Sequence, residues 1–168
     1  MTDVVQRARA FAVKAHADQR YGDAPYVVHL DAVVALLSPY DEAHRVAGYL
    51  HDAVEDTPAT VAEIEAQFGG PVARWVALLT DEPGSNRKER KAKTYAKLAN
   101  VVHPGPDSGA LVVKAADRLA NVRACGCEAN ANKLAMYRAE HAAFRAAAYH
   151  DGLCDALWLE LAERLVRL

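Results

Sequence analysis

Four ionisable side chains fall within six consecutive positions of the sequence: His51, Asp52, Glu55 and Asp56. In a helix that turns by about 100° per residue, these four side chains lie within an arc of about 140° and can face one pocket. Three carboxylates and an imidazole beside an apolar run are costly to bury unless a cation neutralises them, and a divalent metal does so at short range. The alternative is the solvated acidic end of a helix, which is what most such clusters are.

Two further polar residues, His29 and Asp117, stand in otherwise apolar segments. Taken singly, each is more often a hydrogen-bonded core residue than a ligand. Together with His51 and Asp52 they form a mixed nitrogen and oxygen donor set that suits manganese, iron or zinc and leaves room for water. Glu55, one helical turn beyond His51, would then lie beside the metal, where it could orient or deprotonate a bound water.

A block of positive charge occupies positions 87 to 93. Such runs are usually solvated helix faces. The functional alternative is a set of phosphate-binding cations, because an acidic metal cluster repels a phosphate unless cations lie nearby. The candidate cations are Arg87, Lys88, Lys91, Lys114, Arg118 and Arg123.

The rest of the pattern predicts an all-α fold in a single domain over residues 1–168, because alanine is abundant and Gly and Pro stand mainly at helix ends. A polar loop is expected at positions 19 to 25, and one continuous helix is expected from Glu42 to Asp56. Thr60 and Glu63 form the sequence signature of a capping box for a short helix. The other predicted helices are Asp3–Asp18, Tyr26–Leu37, Pro71–Thr80, one that opens at Arg87, Ala110–Ala124, Ala131–Tyr149 and Leu153–Leu168.

The composition is that of an ordinary globular protein, with 52% hydrophobic residues, 25% charged residues and a net charge of -2. No charge bias indicates a nucleic-acid partner. The apolar runs are too short to cross a bilayer and the N-terminal residues lack a signal pattern, so a cytoplasmic location is expected. Cys125, Cys127 and Cys154 have no spacing suited to a zinc site or a disulfide framework, and the first two are expected to pack near a turn.

Several segments occur in the order and approximate spacing of a known family: Ala15-His16, Gln19-Arg20, Pro25-Tyr26-Val27-Val28-His29, Leu50 to Thr57, Phe68-Gly69, Leu79-Thr80 and Lys114 to Arg123. This set resembles the HD-superfamily metal-dependent phosphohydrolases. Within that superfamily it is most similar to the RelA/SpoT-type hydrolase domain and its single-domain form, the small alarmone hydrolases.

The resemblance implies an HD-domain helical bundle with one manganese ion per chain, for which zinc or iron are the alternatives. It implies that Glu55 and Asp56 activate and position the water that attacks the 3′-diphosphate of (p)ppGpp, with release of pyrophosphate. The implied metal ligands are His29, His51, Asp52 and Asp117. The residues expected at the nucleotide are Arg20, Tyr21, Asn121 and Tyr137, and the basic helix is expected to reach the phosphates.

The sequence departs from the family pattern on the substrate side. Family members usually carry an Arg-Lys pair where this chain has Arg20 and Tyr21, and Leu30 and Ala120 also differ from the pattern. No metal ligand is lost, so the departures bear on nucleotide selectivity. The alternatives are an HD phosphohydrolase for (p)ppApp or for the 2′-phosphate of NADPH, and a non-catalytic nucleotide-binding regulator. The expected partner is a small nucleotide, with nucleic acid and membranes excluded and a homo-oligomer left open.

Overall fold

The computed structural model describes residues 2–125 and 131–167, which form helices and one small β-hairpin, as the predicted all-α class requires. Cys127 lies outside the described residues. No helix in the described part of the chain has the length and apolar character needed to cross a membrane. In chain order the elements are α1 Asp3–His16, β1 Arg20–Tyr21, β2 Ala24–Pro25, α2 Val27–Leu36, α3 Glu42–Leu50, α4 Ala53–Asp56, α5 Val61–Phe68, α6 Gly70–Leu79, α7 Arg87–Ala99, α8 Ser108–Ala124, α9 Ala131–Ala148 and α10 Asp155–Arg167.

Helix α8 lies at the centre of the fold. It is apolar around most of its circumference, and a helix of that kind is stable only when neighbours cover every side. Helices α2, α3, α6, α9 and α10 all pack against it, and Leu111, Val113 and Leu119 are fully buried. Asp117 and Asn121 lie on this central helix, so the fold places two polar side chains close to the interior of the protein.

Gly109 in α8 allows the Trp75 ring of α6 to lie directly against the α8 backbone, in space that a β-carbon would occupy. The Trp75 indole N–H donates to the Pro106 carbonyl at 3.0 Å, which satisfies the one polar group of this buried ring. Helix α6 therefore packs close to α8.

The helix predicted from Glu42 to Asp56 is interrupted, which corrects the sequence-based expectation. Helix α3 ends at Leu50, His51 and Asp52 form a turn, and the single-turn helix α4 follows. The Gly48 carbonyl accepts a hydrogen bond from the imidazole Nδ1–H of His51 at 2.8 Å. In a continuous helix that carbonyl would accept a backbone amide, so the side chain replaces a backbone hydrogen bond at the end of α3. The four acidic and imidazole groups consequently do not lie on one ideal helical arc.

The polar loop predicted at positions 19 to 25 contains the hairpin, in which Arg20 pairs with Pro25 and Tyr21 pairs with Ala24. Gly22 takes a φ of 60° in the connecting turn, a conformation that favours glycine. The polar composition of this segment predicted a loop and gave no indication of the short strand pairing. Its consequence for the site is that Tyr21 faces the N-terminal end of α2.

Side-chain caps fix the beginnings of α3, α5 and α7. The capping box predicted for Thr60 and Glu63 is present at α5. Asp41 accepts the His44 amide at the start of α3, and Asn86 accepts the Glu89 amide at the start of α7. These caps satisfy amides that have no partner inside their own helix, and the Asn86 cap sets the register of the basic helix.

Candidate metal centre and active site

The predicted chemical residues meet in a cleft of about 160 Å³ between α2, the α3–α4 junction, α7, α8 and α9. One side of the cleft carries the imidazole and carboxylate groups, and the other carries the basic groups of α7 and α8. The cleft is lined by Tyr26, His29, Asp52, Glu55, Asp56, Arg87, Lys91, Lys114, Asp117, Arg118, Asn121 and Tyr137.

His29, His51, Asp52 and Asp117 form a tight cluster at the floor of this cleft. The His51 Nε2 atom lies 3.0 Å from a carboxylate oxygen of Asp52 and 3.6 Å from one of Asp117. The His29 Nε2 atom lies 3.7 Å and 3.3 Å from the same two oxygens. Ligand bonds of about 2.1 Å place neighbouring donor atoms about 3.0–3.5 Å apart, so these separations match the spacing of ligands around one ion.

The hydrogen bonding of His51 fits a metal ligand. Its Nδ1–H donates to the Gly48 carbonyl, which fixes the tautomer and leaves the Nε2 lone pair directed into the cluster. The Nε2 atom is buried and makes no hydrogen bond within the described structure. Such an orphaned nitrogen beside two carboxylates is costly unless a cation receives its lone pair, and a divalent cation also neutralises the two acids.

Each carboxylate of the cluster accepts a hydrogen bond from a further side chain. The Tyr26 hydroxyl donates to Asp52 Oδ2 at 2.6 Å, and the Asn121 amide donates to Asp117 Oδ1 at 2.6 Å. Burial disfavours both charged forms. In the metal-free protein, however, attraction to the His51 imidazole at Asp52, and to the His29 and His51 imidazoles at Asp117, outweighs burial and holds the pKa of both carboxyls well below the usual range. Both acids therefore stay ionised at neutral pH and are ready to bind a cation.

Glu55 and Asp56 lie beside the cluster and make hydrogen bonds to groups outside it. Glu55 accepts the backbone amide of Asp81 at 2.8 Å, and partial burial raises the pKa of Glu55 despite that hydrogen bond. Asp56 accepts the side-chain amide of Gln19 at 2.9 Å. Two carboxylates positioned next to a metal cluster can orient a water and accept its proton.

The basic side of the cleft is built from cations that are paired with acids. Glu140 of α9 bridges Arg87 of α7 and Arg118 of α8, with nitrogen to oxygen distances of 2.8 Å and 3.1 Å. Buried Lys114 donates to the Leu79 carbonyl at 3.1 Å, and its ammonium lies 3.8 Å from an Asp117 carboxylate oxygen. These contacts orient the cations before a ligand binds. An anionic ligand can then replace some of their hydrogen bonds to the protein carboxylates.

Lys91 connects this basic side to Glu55. The Lys91 ammonium contacts the nearly buried Asp81 carboxylate at 2.8 Å, and the Asp81 amide is the donor to Glu55. Burial and the charge of Lys114 lower the pKa of Lys91. An anion bound to Lys91 would therefore contact the ion-pair partner of Asp81, the residue whose backbone amide donates to Glu55.

Four residues predicted to bind substrate lie outside the cleft lining; one of them, Tyr21, borders an adjoining cavity, and the other three lie elsewhere. Arg20 is exposed and donates to the Asp23 carbonyl in the hairpin turn. Lys88 is exposed on α7. Arg123 makes a two-bond pair with Glu160 of α10, at 2.8 Å and 2.5 Å. The substrate roles of these three stay predictions, and the structure does not bring their side chains together with the cluster.

Tyr21 and Tyr137 border a second cavity of about 210 Å³ that adjoins the cleft at Asn121. Tyr21 stacks on His29, with ring centroids 4.8 Å apart and planes inclined by 18°. The Arg118 guanidinium lies over the Tyr137 ring, 4.7 Å from its centroid. An aromatic and amide-lined space next to a cation cluster is suited to a nucleoside attached to phosphates.

Four residues that contact the site were not assigned to it from the sequence: Gln19, Tyr26, Asp81 and Glu140. Gln19 and Tyr26 stand inside matching family segments, yet nothing in their type or spacing indicates which carboxylate they reach. Asp81 lies in the connection between α6 and α7, and Glu140 lies on α9, distant from the site residues in sequence. Only the packing of α7 and α9 brings Glu140 to the arginines.

The HD domain family model matches residues 8–165. The chain belongs to the HD domain family. This HD protein is 36% identical over 129 residues to the guanosine-3′,5′-bis(diphosphate) 3′-pyrophosphohydrolase MESH1 of Danio rerio, an alignment that covers 73% of this chain and 69% of that protein. It is 37% identical over 123 residues to the human MESH1, covering 69% of this chain and 66% of that protein.

A solved structure described as a metazoan orthologue of SpoT that hydrolyses ppGpp superposes on the HD protein with a TM-score of 0.78. The two are 25% identical, and the match covers 99% of this chain and 96% of the other. A probable guanosine-3′,5′-bis(diphosphate) 3′-pyrophosphohydrolase of Synechocystis is 38% identical over 126 residues. The alignment covers 71% of this chain but only 16% of that protein, so the likeness is to one part of it.

Proposed function

We propose that this HD protein is a metal-dependent pyrophosphohydrolase that removes the 3′-diphosphate of guanosine polyphosphate alarmones, (p)ppGpp. The observation that carries the proposal is the meeting, in one cleft, of a His and Asp cluster, two adjacent carboxylates and four cations. The activities in the names of the MESH1 relatives support the substrate class. In this proposal residues 1–168 act as one phosphohydrolase domain.

Manganese is the proposed ion, and zinc and iron are the alternatives that the same donor set accepts. When bound by His29, His51, Asp52 and Asp117, it would supply Lewis acidity that lowers the pKa of a nearby water and offsets charge on the phosphoryl group. Asp52 and Asp117 remain ionised without it, and Tyr26 and Asn121 hold their carboxylates in place.

Glu55 is the proposed proton acceptor and Asp56 the proposed group that orients water. The raised pKa of Glu55 makes its carboxylate a better base than an ordinary glutamate. Water adds to the phosphorus that carries the ribose 3′ oxygen, the bond between them breaks, and the 3′ oxygen gains a proton. The products are pyrophosphate and GDP or GTP.

The basic side of the cleft would hold the 3′-diphosphate that the water attacks. Arg87, Lys91, Lys114 and Arg118 face this space, and their positive charge offsets the negative charge of the diphosphate oxygens as the bond to the ribose 3′ oxygen breaks. Tyr137 and Asn121 would line the nucleoside side, next to the adjoining cavity. The cytoplasmic location expected from the sequence belongs to the same proposal.

A hydrolysis panel with identified products tests this function. The protein is supplied with manganese and incubated separately with ppGpp, pppGpp, ppApp, pppApp and NADPH, and products are resolved by anion-exchange chromatography and mass spectrometry. We expect pyrophosphate with GDP or GTP, and the highest kcat/KM for a guanosine substrate. A preference for an adenosine substrate or NADPH would reassign the nucleotide, and tight ppGpp binding with no product at any metal concentration would indicate a regulator.

A further inference from the structure

Tyr21 contacts two members of the metal cluster, one directly and one through an amide. Its ring stacks on the His29 imidazole, and its hydroxyl donates to Asn121 Oδ1 at 3.0 Å. The side chain is half-buried and is held by the hairpin, which pairs Tyr21 with Ala24. These contacts are with protein groups of the metal centre.

Asn121 uses both ends of its amide within this network. The Nδ2 group donates to Asp117 Oδ1 at 2.6 Å and to the Asp117 carbonyl at 3.1 Å. An ionised carboxylate only accepts hydrogen bonds, so the NH₂ end must face Asp117 and the oxygen must face Tyr21. A tyrosine hydroxyl is protonated at neutral pH, so Tyr21 is the donor in its hydrogen bond to the Asn121 oxygen.

We propose that Tyr21 is a positioning residue of the metal centre. Its ring fixes the plane of His29, and its hydroxyl, acting through Asn121, fixes the carboxylate of Asp117. Groups that orient ligands in this way typically change metal affinity by about 10–100-fold when they are removed. The inference rests on the metal site of the proposed function and does not depend on which nucleotide is hydrolysed.

The test is the manganese affinity of the nucleotide-free protein, measured from the electron paramagnetic resonance signal of unbound Mn²⁺. Tyr21→Phe keeps the ring on His29 and removes the hydrogen bond, so we expect its Kd for Mn²⁺ to rise about tenfold. Tyr21→Ala removes both contacts and should raise the Kd further, towards about 100-fold. Tyr40→Phe is the matched control, because Tyr40 is partly buried and contacts His44 instead of the cluster.

Unfolding of the metal-free variants is followed in parallel, and Tyr21→Phe alone decides the question if Tyr21→Ala does not fold. An unchanged manganese Kd in Tyr21→Phe and Tyr21→Ala would overturn the proposal, whether or not the KM for ppGpp rises. A wild-type protein that retains no Mn²⁺ would overturn it as well. Tyr21-dependent manganese affinity in a protein that hydrolyses no ppGpp would refute the proposed function and leave the positioning role standing.

Discussion

At the scale of single residues, the site is defined by what each polar group contacts. His51 shows this most clearly, since one ring nitrogen donates to a backbone carbonyl and the other is buried beside two carboxylates. The sequence placed His51 and Asp52 in a candidate metal set by residue type alone. It could not show the tautomer or the hydroxyl of Tyr26 on Asp52, because both depend on contacts that folding creates.

Gln19 is partly buried, and it is expected to matter for turnover although it is neither a metal ligand nor a catalytic acid or base. Its side-chain oxygen accepts His16 Nδ1 at 2.8 Å and its amide donates to Asp56 at 2.9 Å, so a buried imidazole fixes the amide that holds Asp56. We expect Gln19→Ala to lower kcat about tenfold, because a freed Asp56 orients water less well. Gln19→Glu should lower it further, since two carboxylates would face each other.

The measurement is steady-state hydrolysis of ppGpp at saturating manganese, with kcat and KM separated. Gln67→Ala serves as the control, because Gln67 is exposed and the side-chain hydrogen bond that it accepts, from Arg7, goes to its backbone carbonyl, which the substitution retains. Wild-type kcat in both Gln19 variants would show that Asp56 needs no support from the loop.

At the scale of helices, Asp31 connects α2 to α1 through a salt bridge and to α3 through a hydrogen bond. Asp31 of α2 accepts two hydrogen bonds from Arg9 of α1, at 2.9 Å and 2.8 Å, and one from the Tyr49 hydroxyl of α3 at 2.9 Å. The Arg9 hydrogen bonds, with help from Tyr49, hold the pKa of Asp31 below its usual range although partial burial opposes them. The cluster histidines, His29 on α2 and His51 directly after α3, depend on this packing.

We expect Asp31→Asn to destabilise the fold by about 1 kcal/mol at neutral pH, a modest value because both partners are partly exposed to solvent. An acid whose pKa is lowered by folding contributes stability above its unfolded pKa of about 3.9 and loses it as pH falls through the folded value. Urea unfolding should therefore show a difference between wild type and variant at pH 7 that shrinks near pH 3.

Asp18→Asn is the control for this comparison, because Asp18 is exposed and makes no ion pair among the residues that the structure describes. The same difference in unfolding free energy at both pH values would mean that Asp31 acts through its shape and not through its charge.

The sequence predicted the helices well and their junctions less well. The capping signal at Thr60 located the start of α5, and the basic block that opens at Arg87 located the start of α7, because these features depend on neighbours along the chain. The break at His51 and the hairpin at Tyr21 escaped prediction, since each depends on a local hydrogen bond or a turn conformation that competes with the helical or loop pattern. Both lie at the metal cluster, where function outweighs regular structure.

At the scale of the whole molecule, a protein with a net charge of -2 separates its charges within one cleft. The acids come from the turn between α3 and α4, from α4 and from α8, and the cations come from α7 and α8. The metal cluster alone joins residues 88 positions apart, His29 and Asp117. The sequence alone predicted both the acidic metal-binding residues and the basic residues. It could not show that Glu140 joins Arg87 to Arg118, because α9 reaches them only in the folded protein.

The central claim is that the cluster binds a metal while Glu55 acts on water beside it, and Glu55→Gln separates these two roles. Glutamine can still accept the Asp81 amide but is a poor proton acceptor. Because folding raises the pKa of Glu55, its ionised form is disfavoured in the fold, and the variant should be at least as stable as wild type at neutral pH.

The decisive measurement is ppGpp hydrolysis by Glu55→Gln and by wild type at equal, measured manganese content. We predict the same metal stoichiometry in both proteins and a kcat that falls by about 10²–10⁴-fold in the variant. Wild-type turnover in a fully metal-loaded Glu55→Gln protein would contradict the account.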